Sequence, residues 1–128
     1  MRLLLDTHIF IWWDSDPDRL SSQATALCED PANFLALSVA SIWEMQIKQQ
    51  FGKLKLRLSL SELIDNQKQN NGIEILPINL EHVLFLDNLP LHHKDPFDRL
   101  LIAQASVENM KLLSADPFFT RYPIEVLS

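Results

Sequence analysis

The sequence predicts an α/β fold: a central parallel sheet of four to five short strands, flanked by helices on both faces. Short runs made almost wholly of apolar residues recur along the chain, as strands buried on both faces require. Segments of helical spacing, several with a capping residue at the front, lie between these runs. That alternation indicates parallel strands joined by crossover helices. No internal repeat, low-complexity tract or Ser/Gly-rich linker interrupts the 128 residues, so residues 1–128 are expected to form a single domain.

In chain order, RLLLD (2–6) is the first expected strand and SSQATALCED (21–30) the first expected helix. FLALS (34–38) is the second strand. SVASIWEMQIKQQFG (38–52) follows as a helix, with Ser38 or Ser41 as its N-cap and Gly52 as its stop. SLSELIDNQKQNNG (59–72) opens with a capping box, Ser59 with Glu62 at the third helical position, and ends at Asn71-Gly72. IEILPI (73–78) is the third strand, and NLEHVLFLDNL (79–89) a helix capped by Asn79. DPFDRLLIAQASVEN (95–109) is the last helix, KLLSAD (111–116) the fourth strand, and IEVL (124–127) an additional edge strand.

Hydrophobic residues make up 47% of the chain and charged residues 22%, the composition of an ordinary globular protein. The single cysteine, Cys28, excludes an internal disulfide and a cysteine-rich zinc site, fits a reducing compartment, and is expected as a small buried apolar side chain. MRLLLDTHIFIWW is apolar, but Asp6 and His8 interrupt it and no small-residue cleavage site follows. It therefore reads as neither signal peptide nor membrane span, and a cytoplasmic protein without membrane contact is expected. The net charge of −6 opposes binding of polyanions by bulk electrostatics, so a nucleic-acid ligand would need positive charge supplied locally.

HKDPFDRLLIAQA places Asp95 and Asp98 at the front of an apolar run. Pro96 suits the first helical position, because it lacks the amide hydrogen that would be unsatisfied there. Asp95 is then the N-cap, a role worth about 1 kcal/mol that explains it completely. Asp98 gains only a few tenths of a kcal/mol from the helix dipole, and so is open to a functional role. Asp6 and Asp116 end apolar strands, at the edge where open parallel sheets bind ligands. Glu44 lies within two turns of the second strand's end, among apolar neighbours. Four distant carboxylates could therefore converge. Their mutual repulsion calls for a cation, and an all-oxygen site favours Mg²⁺ or Mn²⁺ over zinc.

LLLDTHIFIWW, LSVASIWEMQIKQQFGKL, HKDPFDRLLIAQA and LLSADPFF resemble the four acidic motifs of the PIN-domain family, in their order and over nearly the whole chain. The nearest subgroup is the VapC-like ribonuclease toxins of bacterial type II toxin–antitoxin pairs. The resemblance implies a metal-dependent endoribonuclease with Asp6, Glu44, Asp98 and Asp116 as its catalytic and Mg²⁺- or Mn²⁺-binding acids. It places Thr7 and Ser114 at the hydroxyl positions beside the first and last acids, and leaves Asp95 as a cap with a supporting role as its alternative. It also implies an RNA substrate, an antitoxin peptide held in an apolar groove, and a homodimer.

Other features carry two readings each. The acid-free stretch KQQFGKLKLRL offers Lys53, Lys55 and Arg57 to an RNA backbone, or to solvent. Lys48 is expected to pair with Glu44 one turn earlier. Arg99 could hold a phosphate or a neighbouring acid. His8, His92 and His93 could act as general acids, but read as ordinary loop or half-buried histidines and are left out of the catalytic set. Trp12, Trp13, Trp43 and Phe51 suit a core, or the groove if Trp12 or Trp13 is exposed. Competing classes are weaker. A haloacid-dehalogenase-type phosphatase needs an aspartate where His8 stands, a receiver domain needs paired acids before its first turn, and the glycine motifs of nucleotide-binding modules are missing. A non-catalytic binding module, or a PIN nuclease acting in RNA processing or on DNA, is the remaining alternative.

Overall fold

The computed structural model describes residues 1–91 and 95–128. His92 and His93 lie outside the described residues. Among the described residues five strands, β1 (Arg2–Leu5), β2 (Phe34–Ser38), β3 (Glu74–Leu76), β4 (Lys111–Leu113) and β5 (Val126–Leu127), form one parallel sheet in the order β3-β2-β1-β4-β5. The chain runs outward from β1 to β3, then returns to the other side of β1. The strand order thus reverses between β1 and β4, and the crevice outside their carboxyl ends is where such sheets bind ligands.

Side chains alternate across this sheet. Leu3 and Leu5 of β1, Leu35 and Leu37 of β2 and Leu113 of β4 enter one core, while Leu4, Ala36 and Leu112 enter the other. The first core is covered by α1 (Thr7–Ser15), α2 (Ser22–Glu29), α3 (Val39–Gln50) and α4 (Leu60–Asn71), which bring in Ile9, Phe10, Ala24, Met45 and Leu63. The second is covered by α6 (Pro96–Val107) through Leu101, Ile102 and Ala105, with Phe85 of α5 (Leu80–Phe85) packed beside it. All three leucines of β1 are fully buried, each worth about 2 kcal/mol. That anchors the residue that follows them, Asp6.

The expected caps form. Ser38, rather than Ser41, caps α3 by accepting from the Ala40 N–H at 3.0 Å. Ser59 accepts from the Glu62 N–H, and Gly72 ends α4 in the left-handed conformation at φ 64°. Asn79 and His82 form a capping box at α5, with the histidine ring accepting from the Asn79 N–H. Asp95 caps α6, its Oδ1 accepting from the Phe97 N–H at 2.9 Å and the Asp98 N–H at 3.2 Å.

One helix departs from expectation. The first strand ends at Leu5, and THIFIWWDS is α1, where the sequence analysis places no helix. Its isoleucines, phenylalanine and tryptophans have modest helix propensity, and the preceding leucines make the whole stretch look like one apolar run. Asp6 therefore caps a helix as well as ending a strand.

Candidate functional site

Asp6 is held at the β1 end of the crevice by neutral donors. Its Oδ1 accepts from the Thr7 N–H at 2.8 Å and its Oδ2 from the Ser114 hydroxyl at 2.8 Å. Its own N–H donates to the Leu113 carbonyl at 3.0 Å, tying the turn after β1 to β4. Ser114 Oγ accepts from the Asp116 N–H at 3.0 Å, so the same hydroxyl sets the backbone of the last acid. Asp116 caps the short 3-10 turn Pro117–Arg121, with Oδ1 accepting from the Phe118 N–H at 2.9 Å.

A second chain of contacts leads to α3. Thr7 Oγ1 lies 2.8 Å from both Ser41 Oγ and Glu44 Oε1. Threonine has one hydroxyl proton and an ionised carboxylate can only accept, so Thr7 donates to Glu44 and Ser41 donates to Thr7. The other oxygen of Glu44, Oε2, pairs with Lys48 Nζ at 3.0 Å, as the one-turn spacing anticipates. Asp6 and Glu44 are both buried, at 4% and 6% exposure, in a sheet-end network of Thr7, Ser41 and Ser114.

The first turn of α6 is fixed against α3 by Trp43 and Phe97, whose rings meet edge to face at 5.2 Å and 82°. Each ring immediately precedes an acid, Glu44 and Asp98. Asp98 is partly buried there. A cleft of about 220 Å³ lined by Asp6, His8, Trp12, Ala115 and Asp116 opens at the carboxyl ends of β1 and β4.

Burial pushes the Asp6 carboxyl above its ordinary value, since removal from water disfavours its charge. The Ser114 hydroxyl, His8 and the Thr7 N–H oppose this, and the negative charge of Glu44 adds to it. Among the described residues no three His, Cys, Asp or Glu side chains stand close enough, as they lie, to hold one ion. The donor chemistry still suits Mg²⁺ or Mn²⁺. The acids offer oxygens, the buried Asp6 feels the charge of Glu44, and Mg²⁺ is commonly held by one or two carboxylates plus water and substrate phosphate.

His8 and Ser41 stand beside the acids although the sequence reading keeps both out of the site, Ser41 being named there only as an alternative cap. His8 shares the cleft with Asp6 and Asp116 and packs its ring against Trp12 at 5.8 Å. Ser41 stands one turn before Glu44, so the spacing S-x-x-E on one helix face was the available signal. Two cations expected for RNA are taken by protein acceptors. Arg57 forms a two-pronged pair with Asp14, Nε to Oδ2 at 3.2 Å and Nη2 to Oδ1 at 2.8 Å. Arg99 donates to the Pro90 and Leu86 carbonyls at 3.0 and 3.2 Å, fastening the segment before α6. Lys53 and Lys55 are exposed.

The aromatic residues divide. Trp12 and Trp13 are half-buried against the first core, with Arg19 stacked over Trp12 at 5.0 Å. Trp43 and Phe51 are exposed, at 54% and 76%. Cys28 is buried and its thiol is pushed up to about 11, chiefly by burial, so it is an unreactive core residue.

These features define a class: a parallel α/β domain with hydroxyl-braced acids at the point where its strand order reverses. The PIN domain family is matched over residues 3–125, and the chain belongs to that family. Over 116 residues it is 29% identical to Ribonuclease VapC22 of Mycobacterium tuberculosis, covering 89% of this chain and 86% of the relative. Its fold matches a chain of VapBC2 from Rickettsia felis, solved bound to a DNA fragment from their promoter, with a TM-score of 0.74, 20% identity and 99% and 98% of the two chains covered. A chain of VapBC-1 from nontypeable Haemophilus influenzae is similar at a TM-score of 0.65 and 18% identity, with 100% and 98% covered.

Proposed function

We propose that the protein is a metal-dependent endoribonuclease and the toxin of a type II toxin–antitoxin pair, working in the cytoplasm as a homodimer. The observation that carries this reading is the buried network in which Thr7 and Ser114 brace Glu44 and Asp6 at the sheet's switch point, with Asp116 lining the same cleft. Membership of the PIN family and similarity to Ribonuclease VapC22 support it.

Asp6, Glu44, Asp98 and Asp116 would hold Mg²⁺ or Mn²⁺, directly or through water. A divalent ion bound there would supply a lowered pKa for bound water and neutralise charge on the phosphoryl and leaving oxygens. The chain's own part is positioning. Ser114 fixes the carboxylate plane of Asp6 and the backbone of Asp116 at once. Thr7 takes one lone pair of Glu44 Oε1 and so orients it. Asp95 holds the first turn of α6 and with it the backbone of Asp98. The exposed Lys53 and Lys55 supply backbone contacts that an acidic protein needs to retain RNA. An antitoxin peptide would find exposed rings at Trp43 of α3 and at Phe51 just past its end.

The test incubates antitoxin-free protein, and its Asp98→Asn variant, with total bacterial RNA in Mn²⁺ or EDTA, followed by sequencing of new RNA ends. Discrete ends that require both Mn²⁺ and Asp98 are expected. Protein verified as folded that yields no new ends would overturn the ribonuclease reading.

A further inference from the structure

Glu44 is already paired with a cation. Its Oε1 is occupied by Thr7 and its Oε2 by Lys48 Nζ at 3.0 Å. The two ends of this ion pair differ: the Glu44 side chain is 8% exposed, whereas that of Lys48 is 38% exposed. The carboxylate is fixed from behind and the ammonium reaches it from the solvent side, on a flexible four-carbon stem.

Any divalent ion that takes Glu44 must compete with this ammonium for Oε2, because two cations sharing one carboxylate oxygen repel. Lys48 has room to leave, since its side chain stands at the surface while Glu44 stays bound to Thr7. The partner it would meet on leaving is the phosphodiester bound at the proposed site, in a chain whose net charge of −6 leaves the attraction of that anion to local cations.

We infer that Lys48 is a tethered counter-cation: it neutralises Glu44 before the divalent ion arrives, yields that carboxylate to the ion, and moves its ammonium onto a backbone phosphate of the substrate. This rests on the metal-dependent ribonuclease reading and adds a residue to it. Lys48 is a positioning residue for Glu44 in the metal-free protein and a substrate contact in the metal-bound one. Its removal therefore has opposite effects on the two ligands, which a plain surface ion pair does not predict.

The experiment measures Mn²⁺ affinity by titration calorimetry, and RNA cleavage kinetics, for wild type, Lys48→Met and Lys53→Met. Lys53→Met removes the same charge just beyond α3 and controls Mn²⁺ affinity for the loss of a lysine. Lys48→Met is expected to bind Mn²⁺ about fivefold more tightly than wild type, the scale of one close charge pair in water, while Lys53→Met stays near wild type. The KM of Lys48→Met for RNA is expected to rise severalfold with kcat changed less. Unchanged or weaker Mn²⁺ binding in Lys48→Met overturns the competition, and tighter Mn²⁺ binding with unchanged KM overturns the transfer to RNA. Wild type that neither binds Mn²⁺ nor cleaves RNA strikes at the ribonuclease reading instead. Circular dichroism of each variant verifies that it is folded.

Discussion

Helix α1 carries a shielded aspartate near each end, and the protein treats the two in opposite ways. Asp14, near its C-terminal end, has a fully buried side chain and four donors: the two-pronged Arg57, Gln67 at 2.9 Å and Ser15 at 2.7 Å. Burial alone would raise its pKa, but these donors outweigh that and hold the carboxyl below its ordinary value. Asp6, at the N-terminal end, is bonded among the described residues by a neutral hydroxyl and an amide, with His8 nearby, and these do not offset the burial that raises its pKa. A carboxylate that only holds a fold together gains from a paired guanidinium. One that is shielded beside a second acid, without such a partner, is costly to the fold, and that cost is explained if a ligand supplies the charge.

The sharpest way to break this contrast is activity. Asp6→Asn and Asp98→Asn should each reduce RNA cleavage by at least about a hundredfold, since even groups supporting metal ligands are worth 10- to 100-fold. Asp14→Asn should leave the turnover of folded protein close to wild type. Equal losses in Asp6→Asn and Asp14→Asn, with both variants folded, would erase the distinction between site acid and structural acid.

Stability should move the other way. Asp14→Asn removes the charge that Arg57 and Gln67 address, and should cost about 2 kcal/mol, less than a fully buried pair because Arg57 faces solvent. Asp6→Asn should raise the stability of the metal-free protein in EDTA by about 1 kcal/mol, because it removes a desolvated charge and keeps the shape. Denaturant unfolding of the three proteins checks both signs. Saturating Mn²⁺ should then close the gap between wild type and Asp6→Asn, as a ligand bound only to the native wild type adds its own stabilisation.

How much of this was legible beforehand follows from where the signals reside. Local chemistry was readable: Asp95 as cap to Pro96, Asn79 as cap of α5, Ser59 with Glu62, and the Glu44–Lys48 pair all lie within one turn of sequence. The parallel sheet was readable because β1, β2 and β4 are apolar on both faces. Helix α1 was not, because its apolar residues continue the run begun by β1 and only Asp6-Thr7 marks the change. Arg57 and Arg99 could not be assigned from sequence, since their acceptors are 43 residues away in one case and bare carbonyls in the other. The acids themselves could be named one by one, but their bracing by Thr7, Ser41 and Ser114 depends on pairings 34 to 108 residues apart, which only the sheet order creates.

The finest form of the comparison lies in its pH dependence in EDTA. Asp6 has a folded pKa above 3.8, so between 3.8 and that value the native state keeps a proton that the unfolded chain has lost. Stability from this group is therefore present below 3.8 and falls as pH rises through its folded pKa. Asp14 has a folded pKa below 3.8, so the unfolded chain takes up the proton first. Its contribution is present above 3.8 and is lost as pH falls through the folded pKa. The stability gap between wild type and Asp6→Asn should thus shrink on acidification through the folded pKa of Asp6 and close as pH approaches 3.8, in the range where the gap between wild type and Asp14→Asn persists. Unfolding midpoints for both pairs, taken in steps from neutral pH to the onset of acid denaturation, read the order directly. If both gaps fade together, Asp6 and Asp14 share one electrostatic environment and the assignment of a cation to the first of them loses its physical basis.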